Sequence, residues 1–354
     1  MEHLVYRIGE ILAEFHSVEV IGPQRVSSRI AERFHCTAWG ELHPALIWRL
    51  LCRDPVTRRI VRLVLHGKHS KPDVLLALGS IGVNGLAVAI AGRILGIPSV
   101  VRLTSDIFNV YKTKVGLRAK LKLFLQNNLL GRLSMRLADR ILLLHEAQRS
   151  GLTAIGLDSN RMQVVPQPVS FATDGVQNEA SIREGLNIHS NDRIVLSTMR
   201  LDTDKHIDKL VEVINCVLEN SAEANCHFVL VGDGQCRDYI AEKIRHHSRH
   251  VHMVGEQPST QLPNYYRVAD MFLHLSKGEG LSNCLLEALY FQLPVVATDS
   301  GTITRGMIST IINDPQDIAN AILHKKIPTD SFPETLDPEI NRSAWLKAID
   351  AIDS

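Results

Sequence analysis

A doubly wound α/β protein with two parallel-sheet halves is what this sequence predicts, and three observations carry the prediction. Short apolar runs alternate with helical periodicity along the chain. The alternation starts afresh after a polar break at 172–180, around Gly175. The 354 residues suffice for two domains of roughly 150 residues each.

In the first half, Leu4–Phe15 has Leu4, Ile8, Ile11, Leu12 and Phe15 on one helical face. Val18–Ile21 ends at Gly22-Pro23 and reads as a strand. The 19 residues Val74–Gly92 carry no charge, so a membrane span must be weighed. Gly79, Gly82, Gly85 and Gly92 break the run, favouring a strand over Val74–Leu78 and a helix over Gly85–Leu95. Ser99–Leu103, Ile141–Leu144 and Gln163–Val165 complete the strands.

The second half predicts strands at Ile194–Thr198, His227–Val231, Met271–Leu275 and Pro294–Ala297. Helices are expected over Ile207–Leu218 and Asn283–Phe291. After the proline-rich 328–338, a last helix starts at Arg342. The domains read as 1–171, a linker region 172–190, 191–325, and a tail 326–354.

Lys plus Arg number 39 and Asp plus Glu 38, which excludes a strong global field for nucleic acid. The six cysteines form no C-x-x-C, and the Met1 end shows no basic segment followed by an apolar run. Both features read as a cytoplasmic protein with reduced thiols.

In doubly wound sheets ligands sit beyond the carboxyl ends of strands. The segment Lys277-Gly278-Glu279-Gly280-Leu281-Ser282-Asn283 follows an apolar strand and opens a helix. Ser282 or Asn283 can cap that helix, and its free amides, from about Gly280 to Leu285, suit an anion. Glu287 sits one turn inside, where a carboxylate can accept bonds from vicinal hydroxyls. Phosphate binding beside hydroxyl binding fits a sugar nucleotide. Arg200 and Lys205 follow another strand and together can neutralise a diphosphate.

In order, these motifs resemble a family 4 glycosyltransferase with two Rossmann-like domains facing across a cleft, the GT-B architecture. Glu279 and Glu287 match its E-x7-E motif, Arg200 and Lys205 its R-x4-K motif, and Val231-Gly232-Asp233-Gly234 its strand-end motif. Leu293–Thr298 matches the strand that follows. The resemblance covers about residues 1–325, more weakly in the first half, where Ala138-Asp139-Arg140-Ile141 and Val165-Pro166 carry it.

The resemblance implies retaining glycosyl transfer from a nucleotide sugar to a glycan, lipid-linked or small-molecule acceptor, as in polysaccharide biosynthesis. The nucleotide sugar is a substrate, so no cofactor and no metal is expected. Glu279 would contact the donor sugar, with Arg200 and Lys205 on the diphosphate. Glu287 would bind the ribose, with Gly280, Leu281, Ser282, Gly232, Asp233, Val254 and Gly255 bordering the donor.

The chain departs from the family pattern in several places. It opens at what reads as the first helix, so the usual first strand and Gly-rich loop are either absent or lie upstream. Thr104-Ser105-Asp106 stand where His is usual, Met199 replaces a Gly, and Gln167-Pro168 replaces Asn-Gly. A non-catalytic nucleotide-sugar-binding subunit and an epimerase of the same fold are therefore the rival readings.

Other features have plainer readings. Asp202-Thr203-Asp204 reads as solvated loop carboxylates rather than a metal motif. His246 and His250 would share a helical face as a zinc pair, against a surface helix end. Gly232-x-Gly234-x-x-Arg237 lacks the third Gly of a dinucleotide fingerprint. Residues 112–136 hold seven cations and no acid, with Leu117, Leu121, Phe124, Leu125 and Leu129 as an apolar stripe. This stretch reads either as a packed helix with a basic face or as one lying on an anionic membrane's inner surface.

Overall fold

A computed structural model describes residues 2–13, 17–22, 35–38, 55–78, 81–104, 116–167, 179–220, 225–277, 282–300, 307–324, 327–332 and 337–350. The chain divides into two compact units, Met1–Pro168 with Glu334–Ser354, and Val169–Pro333.

In the first unit, α1 (Glu2–Ala13) buries Ile8 and Leu12. Strands β1 (Glu19–Gly22) and β2 (His35–Ala38) pair in parallel as a separate small sheet. Helix α2 (Pro55–Ser70) follows. The sequence reading lacked β2 and α2.

The main sheet is parallel, in the order β3 (Leu75–Ala77), β4 (Ser99–Arg102), β5 (Arg140–Leu143), β6 (Met162–Val164). Between β3 and β4, the uncharged stretch resolves into a π-helical turn, Ile81–Gly85, and α3 (Leu86–Leu95). Helices α4 (Leu117–Phe124) and α5 (Gly131–Leu137) join through a second π turn, Leu125–Leu130; α6 (Ala147–Thr153) precedes β6. No helix among the described residues is long and apolar enough to cross a membrane.

Strand alternation builds two cores here. Val101, Ile141 and Leu143 face Leu63, Ala87, Ala91 and Met135 on one side. Val100 and Leu142 face Ile8 and Leu12 on the other.

The second unit opens with α7 (Glu179–Gly185). Its parallel sheet runs β11-β10-β7-β8-β9, from β7 (Arg193–Thr198), β8 (Cys226–Val231), β9 (Val251–Gly255), β10 (Met271–His274) and β11 (Val295–Ala297). Helices α8 (Ile207–Asn220), α9 (Arg237–Lys243), α10 (Leu262–Val268), α11 (Asn283–Tyr290) and α12 (Pro315–His324) connect and follow them. The chain winds outward from β7 through β8 to β9, then returns to β7's other side as β10. That reversal makes the β7/β10 boundary a topological switch point, where a crevice opens beyond the strand ends.

The last helix, α13 (Pro338–Asp350), begins before the expected Arg342. It is no free tail. Trp345, Ala348 and Ile349 complete the cluster of Ile8, Leu12, Val100 and Leu142 in the first unit.

Candidate active site

Strand β7 is buried beyond Arg193 and delivers Met199 and Arg200 to the switch point. Backbone bonds fix the loop that follows. Met199 N donates to Val231 O at 3.0 Å, Leu201 N to Asp233 O at 2.9 Å, and Cys236 N to Leu201 O at 2.8 Å. The loops after β7 and β8 are therefore one hydrogen-bonded layer. Gly232 lies at φ +132°, and a Cβ there would sit 1.9 Å from Met199 O. Both the conformation and the approach exclude a side chain. At Gly234 the reason is proximity alone, 2.6 Å to Leu201 O.

Arg200 is exposed and pairs with Asp202 at 2.6 Å and Asp204 at 3.9 Å. This corrects the reading of these carboxylates as solvated. Asp202 is half-buried and neutralises the Arg200 cation. Lys205 N donates to Asp202 O at 3.0 Å. Burial holds the half-buried Lys205 ammonium below the ordinary lysine value; Arg200 adds to the shift, while Asp204 and Asp202 oppose it. Lys277 then ties the next loop in, its N to Asp204 O at 3.1 Å and its Nζ to Thr203 O at 2.5 Å. The loops after β7 and β10 thus meet, as adjacent strands require.

Glu279, Gly280 and Leu281 lie outside the described residues. Ser282 stands at the N-cap of α11, yet its hydroxyl meets Cys284 Sγ at 2.9 Å instead of capping a backbone amide. The Ser282 side chain therefore does not occupy the first-turn amides, which suit an anion.

Glu287 is half-buried and held from behind. Its Oε2 accepts from the Tyr266 hydroxyl at 2.8 Å, and that hydroxyl meets Thr198 Oγ1 at 2.6 Å. Tyr266 is fully buried, and burial, then the Glu287 charge, raise its pKa well above the ordinary value. The phenol stays protonated and donates a hydrogen bond to the carboxylate, leaving Thr198 to donate to the phenol. A line of three residues from β7, α10 and α11 therefore orients Glu287. Nothing in the sequence marks Thr198 or Tyr266, because their partners lie 68 and 21 residues away.

Beneath the same strand end, His274 is buried and held neutral, its pKa pushed down to about 3 by burial and by Lys205. Asp233 closes its own turn through Gly234 N at 2.7 Å. Val254 and Gly255 end β9, where Gly232 N donates to Gly255 O at 2.8 Å. Among the described residues no cluster of His, Cys, Asp and Glu has the arrangement of a metal site. His246 lies in a short 3-10 turn, Arg245–His247, and His250 beyond it, so they share no α-helical face. His250 instead packs its ring 5.1 Å from His227.

Comparison with known proteins bears on the family and the fold. The family model for group 1 glycosyl transferases matches residues 192–325, and that for a glycosyl transferase 4-like domain matches residues 1–168. TuaC of Bacillus subtilis, named as a teichuronic acid biosynthesis glycosyltransferase, is 28% identical over 250 residues. That match covers 70% of this chain and 59% of TuaC, so the chain spans under two thirds of this relative's length. AmsD of Erwinia amylovora, an amylovoran biosynthesis glycosyltransferase, is 29% identical over 108 residues, 30% of each chain. Among solved structures, Anabaena HepE in complex with UDP superposes with a TM-score of 0.68 at 18% identity, covering 99% of this chain and 91% of that one. WaaG, a glycosyltransferase involved in lipopolysaccharide biosynthesis, gives 0.64 at 16%, covering 98% and 91%. Two family models that between them take in both sheets, and whole-chain likeness to GT-B structures, lead to one statement: this chain belongs to the group 1, family 4 glycosyltransferases and has the GT-B fold.

Proposed function

We propose that the chain is a retaining glycosyltransferase that moves a hexosyl group from a nucleotide sugar to a glycan, lipid-linked or small-molecule acceptor. The observation that carries the reading is the oriented Glu287 carboxylate beside the uncapped start of α11, with Arg200 and Lys205 on the adjoining loop. A carboxylate with one oxygen fixed by Tyr266 can accept from a ribose diol through the other. The diphosphate then meets helix amides and two cations. HepE has been solved with UDP and with UDP-glucose, which supports the donor class. The names of TuaC and AmsD support a role in polysaccharide biosynthesis.

In the proposed step the anomeric C–O bond to the diphosphate breaks. Negative charge grows on the leaving oxygen, and Arg200 and Lys205 stabilise it. The acceptor oxygen attaches on the face the leaving group vacates, and its proton passes to the leaving phosphate. Glu279 positions the sugar, and no metal takes part. The reaction belongs in the cytoplasm, where nucleotide sugars are made.

The test is a thermal-shift and turnover screen against UDP-, GDP- and ADP-sugars, with Glu287→Ala as control. A donor that stabilises the wild type and not the variant supports the reading. A folded protein that binds none of them refutes it, and binding with no turnover on any acceptor leaves the binding-subunit rival standing.

A further inference from the structure

The stretch that the donor site leaves unexplained is the helix 117–137. Among the described residues, ten large apolar side chains are exposed, and six belong to this helix. Five of them are leucines spaced by four: Leu117, Leu121, Leu125, Leu129 and Leu133, between 82% and 43% exposed, with Phe124 beside them.

Such spacing does not by itself make a stripe. Four residues overshoot one α-helical turn by about 40°, so four such steps would carry the row nearly halfway round. The π turn Leu125–Leu130 interrupts that drift. Its i→i+5 bonding puts more than four residues in a turn, so a four-residue step there falls short and winds the row back. The leucines consequently keep to one face from α4 through α5. The opposite face, Asn127, Gly131, Ser134 and Met135, is buried. It packs on the Ile81–Gly85 turn so closely that a Cβ on Gly82 would lie 1.9 Å from Gln126 O. The packed-helix reading therefore describes the inner face and not the outer one.

Charge selects the occupant of the outer face. Arg118 and Lys122 flank the row on one side and Lys120 on the other, and all three are exposed with Arg136. No Asp or Glu occurs between Lys112 and Arg136. A second copy of the same face would set like charges against each other. A surface with an apolar interior and anionic groups at its edge takes both the leucines and the cations.

We propose that this helix seats the protein on an anionic phospholipid surface, with the π turn serving to align the leucine row with that surface. The inference stands apart from the donor reading and uses no residue of the donor site.

The experiment is co-sedimentation of the full chain with phosphatidylcholine vesicles and with vesicles that also contain phosphatidylglycerol. Leu121→Gln/Leu129→Gln and Arg118→Glu/Lys122→Glu are compared with the wild type. Circular dichroism and UDP affinity are measured alongside, so that misfolding or a failed donor site is recognised separately. Binding to the anionic vesicles only, weakened by salt and about tenfold or more by either double substitution, is the expected result. Wild-type protein that ignores anionic vesicles overturns the proposal. So does a leucine variant that binds them as well as wild type. A protein dimer that the leucine substitutions dissociate would assign the row to a second copy and overturn it equally.

Discussion

Tyr266 shows how one buried hydroxyl can hold a half-buried carboxylate in place. Its bond to Glu287 is charge-assisted, and removing it also takes one partner from Thr198. Tyr266→Phe is expected to weaken UDP binding about tenfold, with donor KM rising more than kcat falls, as titration calorimetry and donor kinetics would record. Asp202 acts in the opposite sense, because it holds Arg200 at 2.6 Å. An exposed ion pair is worth about 0–1 kcal/mol, so Asp202→Asn should tighten UDP binding by up to about fivefold. Unchanged or weaker binding in a folded variant would show that Asp202 positions Arg200 rather than competes for it. Arg200, Lys205 and Glu287 are candidates that their place after apolar strands suggests in the sequence. The Asp202 pairing and the Tyr266 brace are not legible there, since neither has a sequence signature.

At the scale of elements, the chemistry rests on how two loops fit together. The β8 loop approaches the β7 loop with Gly232 against Met199 O, so Gly232→Ala forces the layer apart. A stability loss of about 2 kcal/mol or more is expected in urea denaturation, together with weaker donor binding, because Arg200 hangs from the displaced loop. Buried strands and strongly periodic helices such as α8 were readable, their apolar runs being both local and one-sided. Strand β2 and helix α2 were not readable, and the two π turns were invisible. A π turn costs one residue of register, and packing on a neighbouring backbone, not local propensity, decides where it falls.

On the whole-molecule scale, the chain returns to the unit where it began. Trp345 on α13 is fully buried among residues of α1, β4 and β5. Trp345→Ala should cost about 3–5 kcal/mol and act on the first unit, so that calorimetry shows one transition lowered while UDP still stabilises the other. Histidines set the acid limit of the second unit. His206 and His252 have pKa values pushed down to about 4 and His274 to about 3, burial being the first cause in each. The unfolded chain binds protons near the ordinary value of about 6.5 while the folded chain does not. Stability is therefore full above about pH 6.5 and declines as pH falls toward 4. Denaturation midpoints measured across that range check the sign, and a flat profile would contradict the burial of these rings.

The sequence by itself determined the fold class and the family resemblance, because each is written in short-range patterns. Apolar runs specify strands, and strand ends specify where functional residues lie. Only the tertiary structure decided which atoms steer those groups. Asp202 on Arg200, Tyr266 behind Glu287, Gly232 under Met199 O and α13 on the first sheet join residues from different elements. It also decided that the leucines of 117–133 share one outward face. Such contacts depend on register and packing between elements, which a linear pattern does not record.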